Sequence, residues 1–432
     1  MPDGISAGAP RVGAADFDKW AVEMRKVSFG TRILVWLFDD PQFRIATRFL
    51  RRVLPILKTP SFWLISRYDD VMEVLKRDAD FPVPFKPKFE LMDRTGTNFI
   101  LGMPNDPAYL AIHKHAMQAF RMEDIPAIAK WSFERAEELV AAGDGVIDAM
   151  AGLCTQVPIE IIGRYYGIPA QHPDLPLWLY AMNFNSFPHP PLPLMAPDKA
   201  TEPAAVAAAA NAEPLVDAAI ARAKAGPPDD TTILGRLVAA QMTDPGVLTD
   251  DVIRATIVGF MLGFAPTNNR ASGQILQCLL RHPEMMAAAE AAAKCGDDDL
   301  LSRVLFEALR FMPINPGPFR NAAADTVIAA GQPHSTKIPK GALLLLAAQS
   351  ASYDPRRVPH PEVFDTDRDL ADTMRFGWGQ HFCTGYKIAI VQITQTLKPL
   401  LLRGNIRRAA GNLGQPGYFG LFFEHLHVTY GD

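Results

Sequence analysis

A cysteine lies in a glycine-rich loop that leads directly into an apolar helical repeat. The loop runs from Phe376 to Gly385 and contains Cys383. Behind it, apolar residues recur at helical spacing, namely Ile390, Ile393, Leu397 and Leu400. Because a helix N-terminus carries partial positive charge and free N–H groups, we expect it to lower the pKa of the Cys383 thiol and to prepare the sulfur as a metal ligand. A buried structural cysteine is the plainer interpretation of a lone Cys, but this pattern is longer than that interpretation requires.

The pattern F-x-x-G-x-x-x-C-x-G resembles the haem-binding loop of the cytochrome P450 family, and the chain matches all four fixed positions. The resemblance implies the cytochrome P450 fold, which is mainly α with small β-sheets. It also implies a b-type haem (iron protoporphyrin IX) with Cys383 as the axial thiolate, Phe376 packed near the sulfur and His381 at a haem propionate. In the family the loop glycines let backbone amides approach the sulfur, and the resemblance carries this role to Gly377, Gly379 and Gly385.

The length of 432 residues would accommodate two or three average domains, yet no linker-like segment divides the sequence. We therefore expect a single cytochrome P450 domain over residues 1–432, with the small, polar residues 1–15 disordered. Hydrophobic residues make up 48% of the chain, charged residues make up 21%, and the net charge is −4. This ordinary globular composition gives no reason to expect nucleic acid as a partner.

The cysteines and the N-terminal segment bear on the compartment. Four cysteines are scattered without C-x-x-C spacing, so neither a disulfide framework nor a zinc site is indicated. The N-terminus lacks the layout of a signal peptide, and the apolar run Ile33–Phe38 is far too short to span a membrane. We expect a cytoplasmic protein without a membrane anchor, which resembles the soluble bacterial type of the family.

An amphipathic helix is predicted from Phe43 to Leu57, where arginines alternate with apolar residues. The expected arrangement is an apolar stripe toward the core and a solvated basic face. A role at a membrane surface is the alternative for the same residues.

One propionate site departs from the family pattern. Bacterial members usually carry a His-x-x-x-Arg pair on a helix that binds a haem propionate, and aligned on Phe120 these positions hold Tyr109 and His113. Both side chains can donate hydrogen bonds, but Tyr is neutral and His is only partly charged near pH 7. They would hold a propionate less strongly than the usual pair, and a solvated helix face explains them equally well.

A long apolar helix is predicted to begin after Thr249, a hydroxyl cap followed by two aspartates. The helix is apolar nearly all round, so it should be central. Pro266 lies inside it and removes one backbone hydrogen bond, which costs about 3 kcal/mol unless something compensates. We expect the helix to bend or open there.

By resemblance this helix would cross the haem. At that point members of the family usually have the sequence motif small residue-Gly-x-acid-Thr, where the acid is Asp or Glu. Two registers stay open. In one, Thr267 keeps the alcohol and Pro266 replaces the acid, and in the other, shifted by one residue, Ala265 takes the acid position. The acid is absent in both, so protons would come through Thr267, Asn268 or Asn269, ordered water or the substrate. The segment predicted to face the substrate is Gly263, Phe264 and Ala265.

Two further landmarks follow in the family's order. Glu307 and Arg310 are three apart on a predicted helix, share a face and resemble the structural ion pair upstream of the cysteine loop. The resemblance also carries the role of main propionate ligand to Arg320, and it places Pro316 in the pocket beside the haem.

The resulting hypothesis is a haem-thiolate monooxygenase that inserts oxygen from O2 into a small apolar organic substrate, with electrons from a separate ferredoxin-type donor. The donor would dock on the face of the protein on the cysteine side of the haem, which is expected to carry basic residues such as Arg375 and Lys387. The missing acid keeps open a peroxide-dependent peroxygenase or hydroperoxide isomerase. A haem-thiolate sensor without turnover is a third interpretation.

Overall fold

The computed structural model describes residues 13–26, 42–93, 95, 97, 99–170, 172–187, 201–369, 373–420 and 422–431. The helices of the N-terminal half are α1 (Ala14–Arg25), α2 (Gln42–Val53), α3 (Tyr68–Lys76), α4 (Lys86–Met92), α5 (Pro107–Ala119), α6 (Ile125–Ala142), α7 (Thr155–Ile161) and α8 (Leu175–Ser186). Those of the C-terminal half are α9 (Thr201–Ala225), α10 (Ile233–Thr243), α11 (Asp250–Arg281), α12 (Pro283–Cys295), α13 (Asp298–Phe311), α14 (Ala348–Ala351) and α15 (Tyr386–Arg403). The chain is mainly α, as predicted.

Small sheets lie among the helices. The strands are β1 (Ile56–Lys58), β2 (Trp63–Ile65), β3 (Val146–Asp148), β4 (Phe319–Asn321), β5 (Thr326–Ile328), β6 (Thr336–Ile338), β7 (Leu343–Leu346), β8 (Arg407–Arg408), β9 (Gly417–Phe419), β10 (Phe422–His425) and β11 (His427–Thr429). The largest described sheet has the order β1-β2-β7-β4, and β2 pairs parallel to β7 while the other neighbours are antiparallel. In this sheet Arg320 lies opposite Leu344, which fixes the position of a residue predicted to bind a propionate.

Some boundaries differ from the sequence predictions. Helix α1 begins at Ala14, inside the stretch 1–15 that was predicted to be disordered, and residues 1–12 lie outside the described residues. The predicted helix Phe43–Leu57 ends at Val53, because the chain then turns into β1 and pairs with β2. The apolar run Ile33–Phe38 also lies outside the described residues.

Helix α11 runs through the centre of the protein, as its apolar circumference predicts. The Thr249 side chain caps it by accepting a hydrogen bond from the Val252 N–H at 3.2 Å. The helix packs against α7, α8, α9, α13 and α15. A central helix of this kind needs neighbours on every side, because each of its faces must be covered.

Pro266 does not end α11, which continues to Arg281. The proline has no N–H for the carbonyl oxygen of Leu262, four residues earlier. The buried side chain of Asn183, on α8, donates a hydrogen bond to that oxygen at 2.8 Å. A side chain of a neighbouring helix therefore replaces the backbone donor that the proline removes.

This compensation predicts an energetic coupling between Asn183 and Pro266. In the wild-type background, Asn183→Ala should lower the free energy of unfolding by about 1–3 kcal/mol, because a buried carbonyl loses its donor. In a Pro266→Ala background the backbone N–H returns, so the same substitution should cost at least about 1 kcal/mol less. Urea unfolding of the four proteins measures the coupling. Equal costs in both backgrounds would contradict it.

The helix α9 is long and apolar enough to cross a membrane by length and composition, but more than half of its most apolar stretch is buried. It packs on α8, α11 and α1. Its alanines allow these close approaches, and burial against other helices accounts for its composition.

Candidate active site

A cavity of about 380 Å³ lies between α11, the cysteine loop and β4. Much of its wall is aromatic, and the rings come from several separate elements: Phe85, Phe99, Phe120, Tyr166, Phe187, Phe260 and Phe264. Edge-to-face ring contacts join several of them, including Phe99 to Phe260 and Phe120 to Phe260. These rings make much of the cavity wall apolar.

The cysteine loop is a tight turn at the cavity wall. The Cys383 N–H donates to the Phe376 carbonyl at 2.9 Å. Gly377 and Gly379 have φ angles of +76° and +70°, which favour glycine. The backbone N–H of Gly385 donates toward the Cys383 sulfur, and α15 begins directly after it at Tyr386. The helix N-terminus thus lies where the sequence placed it.

The Cys383 thiol is both accessible and surrounded by protein, because it lines the cavity. Burial raises its pKa to about 11, and the hydrogen bond from Gly385 opposes this only in part. The N–H at the helix start thus lowers this pKa as expected, but burial, which the sequence did not reveal, outweighs it. A coordinated metal ion would still deprotonate the thiol outright.

A cluster of side-chain hydrogen-bond donors also lines the cavity. Arg320, His381, Tyr109 and His113 all line it. The rings of Tyr109 and His113, one helical turn apart on α5, stack at 5.3 Å, and Tyr109 meets His381 edge-on at 5.7 Å. The Tyr109 hydroxyl donates to the Gln380 carbonyl at 3.2 Å. The structure thus joins residues that are more than 250 positions apart in the chain.

Burial dominates the electrostatics of this cluster. It lowers the pKa of His381 to about 4, and the neighbouring Arg320 adds to the effect. Burial also lowers the pKa of Arg320 to about 10, lowers that of His113, and raises that of Tyr109 to about 12. At neutral pH the cluster holds the Arg320 guanidinium and neutral hydrogen-bond donors, and the carboxylate of Asp78 lies 3.5 Å from His381 Nε2.

The observed residues fit a haem. Arg320 Nε is buried without a hydrogen-bond partner among the described residues, and the carboxylate of a propionate would satisfy it. A Cβ added at Gly385 or Gly263 would meet no atom within 4 Å, so both backbones leave open space for a flat group. The thiol of Cys383 lies in the wall of the same cavity and suits iron.

The register of α11 decides which of its residues reach the cavity. Gly263, Phe264, Thr267 and Asn268 line it. Ala265 and Pro266 are buried but lie outside the lining, because helical periodicity turns them toward other neighbours. The predicted pocket role of Ala265 and the predicted catalytic role of Pro266 therefore lack direct access to the cavity.

Two other predicted residues are also absent from the lining. Pro316 is buried, and its carbonyl accepts a hydrogen bond from Gln349 at 2.9 Å, so its neighbours Asn315 and Gly317 face the cavity instead. Gly379 contributes to the turn through its positive φ and does not line the cavity. Sequence reasoning missed most of the aromatic wall, which comes from elements whose packing no local pattern indicates.

The two polar side chains of α11 that line the cavity, Thr267 and Asn268, both donate hydrogen bonds to other groups of the protein. The Thr267 hydroxyl donates within its own helix, to the carbonyl of Gly263 or to that of Phe264 at 3.1 Å. The Asn268 amide donates to Gln392 Oε1 on α15 at 2.5 Å, and Gln392 donates to Thr396 at 2.6 Å. Among the described residues that line the cavity, none is Asp or Glu.

Glu307 and Arg310 form a fully buried ion pair beneath the cysteine loop. Arg310 Nη2 lies 2.6 Å from Glu307 Oε1, and Arg310 also donates to the carbonyls of Pro361 and Val363 at 2.7 and 3.1 Å. Arg368 donates to the same carboxylate at 3.2 Å. The pair ties α13 to the segment before the loop, as a structural role requires.

Arg375 is buried beside this pair, with its Nη2 3.8 Å from Glu307 Oε2. Burial lowers its pKa to about 9. The expectation that Arg375 lies on an exposed basic face was wrong, because its side chain lies between the ion pair and the cavity. Lys387 is exposed, as that expectation requires.

The chain is similar to known proteins along most of its length. The family model for Cytochrome P450 matches residues 219–406. The Vitamin D(3) 25-hydroxylase of Pseudonocardia autotrophica is 25% identical over 76% of this chain and 76% of its own length. The cytochrome P450 monooxygenase PikC of Streptomyces venezuelae is 26% identical over 79% and 77%, respectively.

Solved structures are similar in fold. The open cytochrome P450 Eryk from S. erythraea has a TM-score of 0.75 at 22% identity, covering 91% of this chain and 96% of that one. P450BioI, in complex with an acyl carrier protein carrying hexadec-9Z-enoic acid, has a TM-score of 0.73 at 21% identity, covering 91% and 99%. At these identities the likeness establishes the fold.

Proposed function

Because the chain belongs to the cytochrome P450 family, we propose that it is a haem-thiolate monooxygenase for a small apolar organic substrate, supplied with electrons by a separate ferredoxin-type protein. One oxygen atom of O2 enters the substrate and the other leaves as water, with two electrons from NAD(P)H and two protons. The observation that carries the proposal is the aromatic cavity with Cys383 in its wall.

The bound group is haem b, which supplies the iron that activates O2. Cys383 would be its thiolate ligand, and Arg320 with the donors Tyr109, His113 and His381 would hold the propionates. The Arg320 guanidinium also interacts with the Asp78 carboxylate, so it balances only part of the charge of two propionates, and hydrogen bonds carry the remainder of the binding.

The cavity wall supports an apolar substrate. The rings of Phe99, Phe260 and Phe264 line the cavity, and Gly263, which has no side chain, leaves open space beside its backbone. An apolar molecule would gain about 25 cal/mol per Å² of surface that it removes from water. The same wall would exclude bulk water from the reacting atoms.

Thr267 is the proposed proton-delivering group. Its hydroxyl reaches the cavity while its own hydrogen bond goes to a helix carbonyl, so rotation would free the proton for a substrate-bound water. Asn268 would position such a water, since its amide is held by Gln392. No carboxylate takes part among the described residues of the wall, so protons pass between neutral groups and water.

The absence of an acid from the described wall favours a second candidate, a peroxide-dependent reaction. An organic hydroperoxide brings its oxygen already reduced, so the reaction needs neither O2 activation nor electrons from a partner. Retained Thr267 argues for the monooxygenase, because a peroxide-dependent enzyme does not need that alcohol.

The deciding experiment supplies the haem-loaded protein with a panel of apolar substrates in two arms. One arm contains O2, NAD(P)H, a ferredoxin and its reductase, and the other contains an organic hydroperoxide alone. Product in the reductase arm, lowered about 10²-fold or more by Thr267→Ala, is expected from a lost proton relay. Thr394→Ala, a buried threonine of α15 outside the cavity lining, is the control and should retain activity. Product in the hydroperoxide arm alone would overturn the monooxygenase.

A further inference from the structure

Helix α2 presents its apolar side to solvent. Ile45, Phe49, Val53 and Leu54 are 66%, 62%, 57% and 48% exposed, respectively. The first three are spaced four residues apart, so they form one continuous row along the helix. The expectation that the apolar stripe of this segment faces the core was therefore wrong.

The polar side of α2 faces the protein instead. Thr47 and Arg51 are both 3% exposed. One guanidinium nitrogen of Arg51 donates to the backbone carbonyl and to the hydroxyl of Ser350, both at 2.9 Å. Arg44, on the same side, forms an ion pair with Glu362. These contacts fix the rotation of the helix, so the apolar row cannot turn inward without leaving a buried guanidinium without its partners.

Two arginines border the apolar row. Arg48 and Arg52 are exposed, and neither forms an ion pair with a carboxylate in the described part of the chain. The helix itself has no acidic residue. A helix with an apolar row beside free cations has the chemistry of one that lies in the plane of a lipid surface.

We propose that the α2 row, defined as Ile45, Phe49, Val53 and Leu54 with Arg48 and Arg52 beside it, docks on an anionic lipid surface. The apolar side chains would enter the boundary between headgroups and acyl chains, and the arginines would meet lipid phosphates. A second copy of this chain fits less well, because a symmetric contact between two such helices would bring arginines together with no acid on either helix.

The test is co-sedimentation of the haem-loaded protein with vesicles of phosphatidylglycerol and phosphatidylcholine, compared with vesicles of phosphatidylcholine alone. We expect binding to the anionic vesicles at low salt. Arg48→Gln with Arg52→Gln should weaken it by about tenfold or more, since each cation near the surface contributes about 1 kcal/mol. Ile45→Ser with Phe49→Ser should also weaken it. The absorbance spectrum of the bound haem shows that each variant is folded.

Matched controls test whether vesicle binding depends on the α2 row or only on the total number of exposed cations and apolar side chains. Lys130→Gln with Arg407→Gln removes two exposed cations elsewhere, and Met242→Ser removes a side chain that is 83% exposed on α10. Both controls should bind like the wild type. No binding to anionic vesicles, equal binding to neutral vesicles, or equal losses in the controls would each overturn the proposal.

Two other occupants are distinguished by further measurements. Sedimentation velocity reports self-association, and a dimer abolished by Phe49→Ser would assign the row to a second copy. Phe49→Cys in a Cys295→Ser background removes the other exposed thiol outside the cavity and allows maleimide labelling. Fast labelling in buffer that slows with anionic vesicles is expected. Slow labelling in buffer alone would mean that the protein's own chain covers the row and would overturn the proposal.

Discussion

Cys383→Ala is expected to abolish the absorbance band that the reduced, CO-bound protein owes to a thiolate ligand. The side chain is the only thiol in the described cavity lining, so no neighbouring sulfur can replace it. Oxygen insertion should fall to background in the same variant, because the axial thiolate favours O–O cleavage. The measurement is a difference spectrum on protein reconstituted with haem.

The control for this prediction is Cys295→Ala, which removes an exposed thiol outside the cavity. It should leave both the band and the activity unchanged. A normal thiolate band in Cys383→Ala would contradict every haem-thiolate interpretation of this chain. Haem bound without that band is the expected outcome, because Arg320 and the propionate donors remain.

The second large effect is expected at Glu307. Its buried carboxylate lies against the guanidinium groups of Arg310, Arg368 and Arg375. Glu307→Gln would leave these cations together in a buried place, and breaking a buried pair in this way costs about 3–5 kcal/mol. Urea unfolding of the haem-loaded protein measures the change, and we expect a large fall in the free energy of unfolding.

Two further variants keep this prediction testable where Glu307→Gln fails to fold. Arg310→Lys retains the charge but loses the fork that reaches Pro361 and Val363, so its cost should be intermediate. Glu160→Gln breaks a solvent-exposed pair between α7 and Arg164, four residues later, and should cost less than about 1 kcal/mol. A cost at Glu307 no larger than that at Glu160 would contradict the prediction.

The local features were predictable because neighbouring residues produce them. The cap at Thr249, the apolar circumference of α11 and the turn before α15 all follow from contiguous residues. The spacing of Glu307 and Arg310 similarly places them on one face of α13. The ordered landmarks of the cysteine loop led to the correct family and to a mainly α fold with small sheets.

Other properties depend on contacts between distant segments. The expectation for α2 was wrong because its amphipathic pattern does not say which side meets the protein, and the partner of Arg51 lies almost 300 residues away. The helix terminus lowers the pKa of Cys383 as expected, but burial by the folded chain outweighs this local effect, and burial cannot be read from the loop.

By itself, the sequence determined the cysteine loop, the central helix and the family, since these depend on short patterns and their order along the chain. Only the tertiary structure decided that Asn183 replaces the donor lost at Pro266, that aromatic rings from several elements enclose one cavity, and that the α2 row faces outward. The physical reason is that hydrogen-bond satisfaction and burial are properties of the whole packed chain.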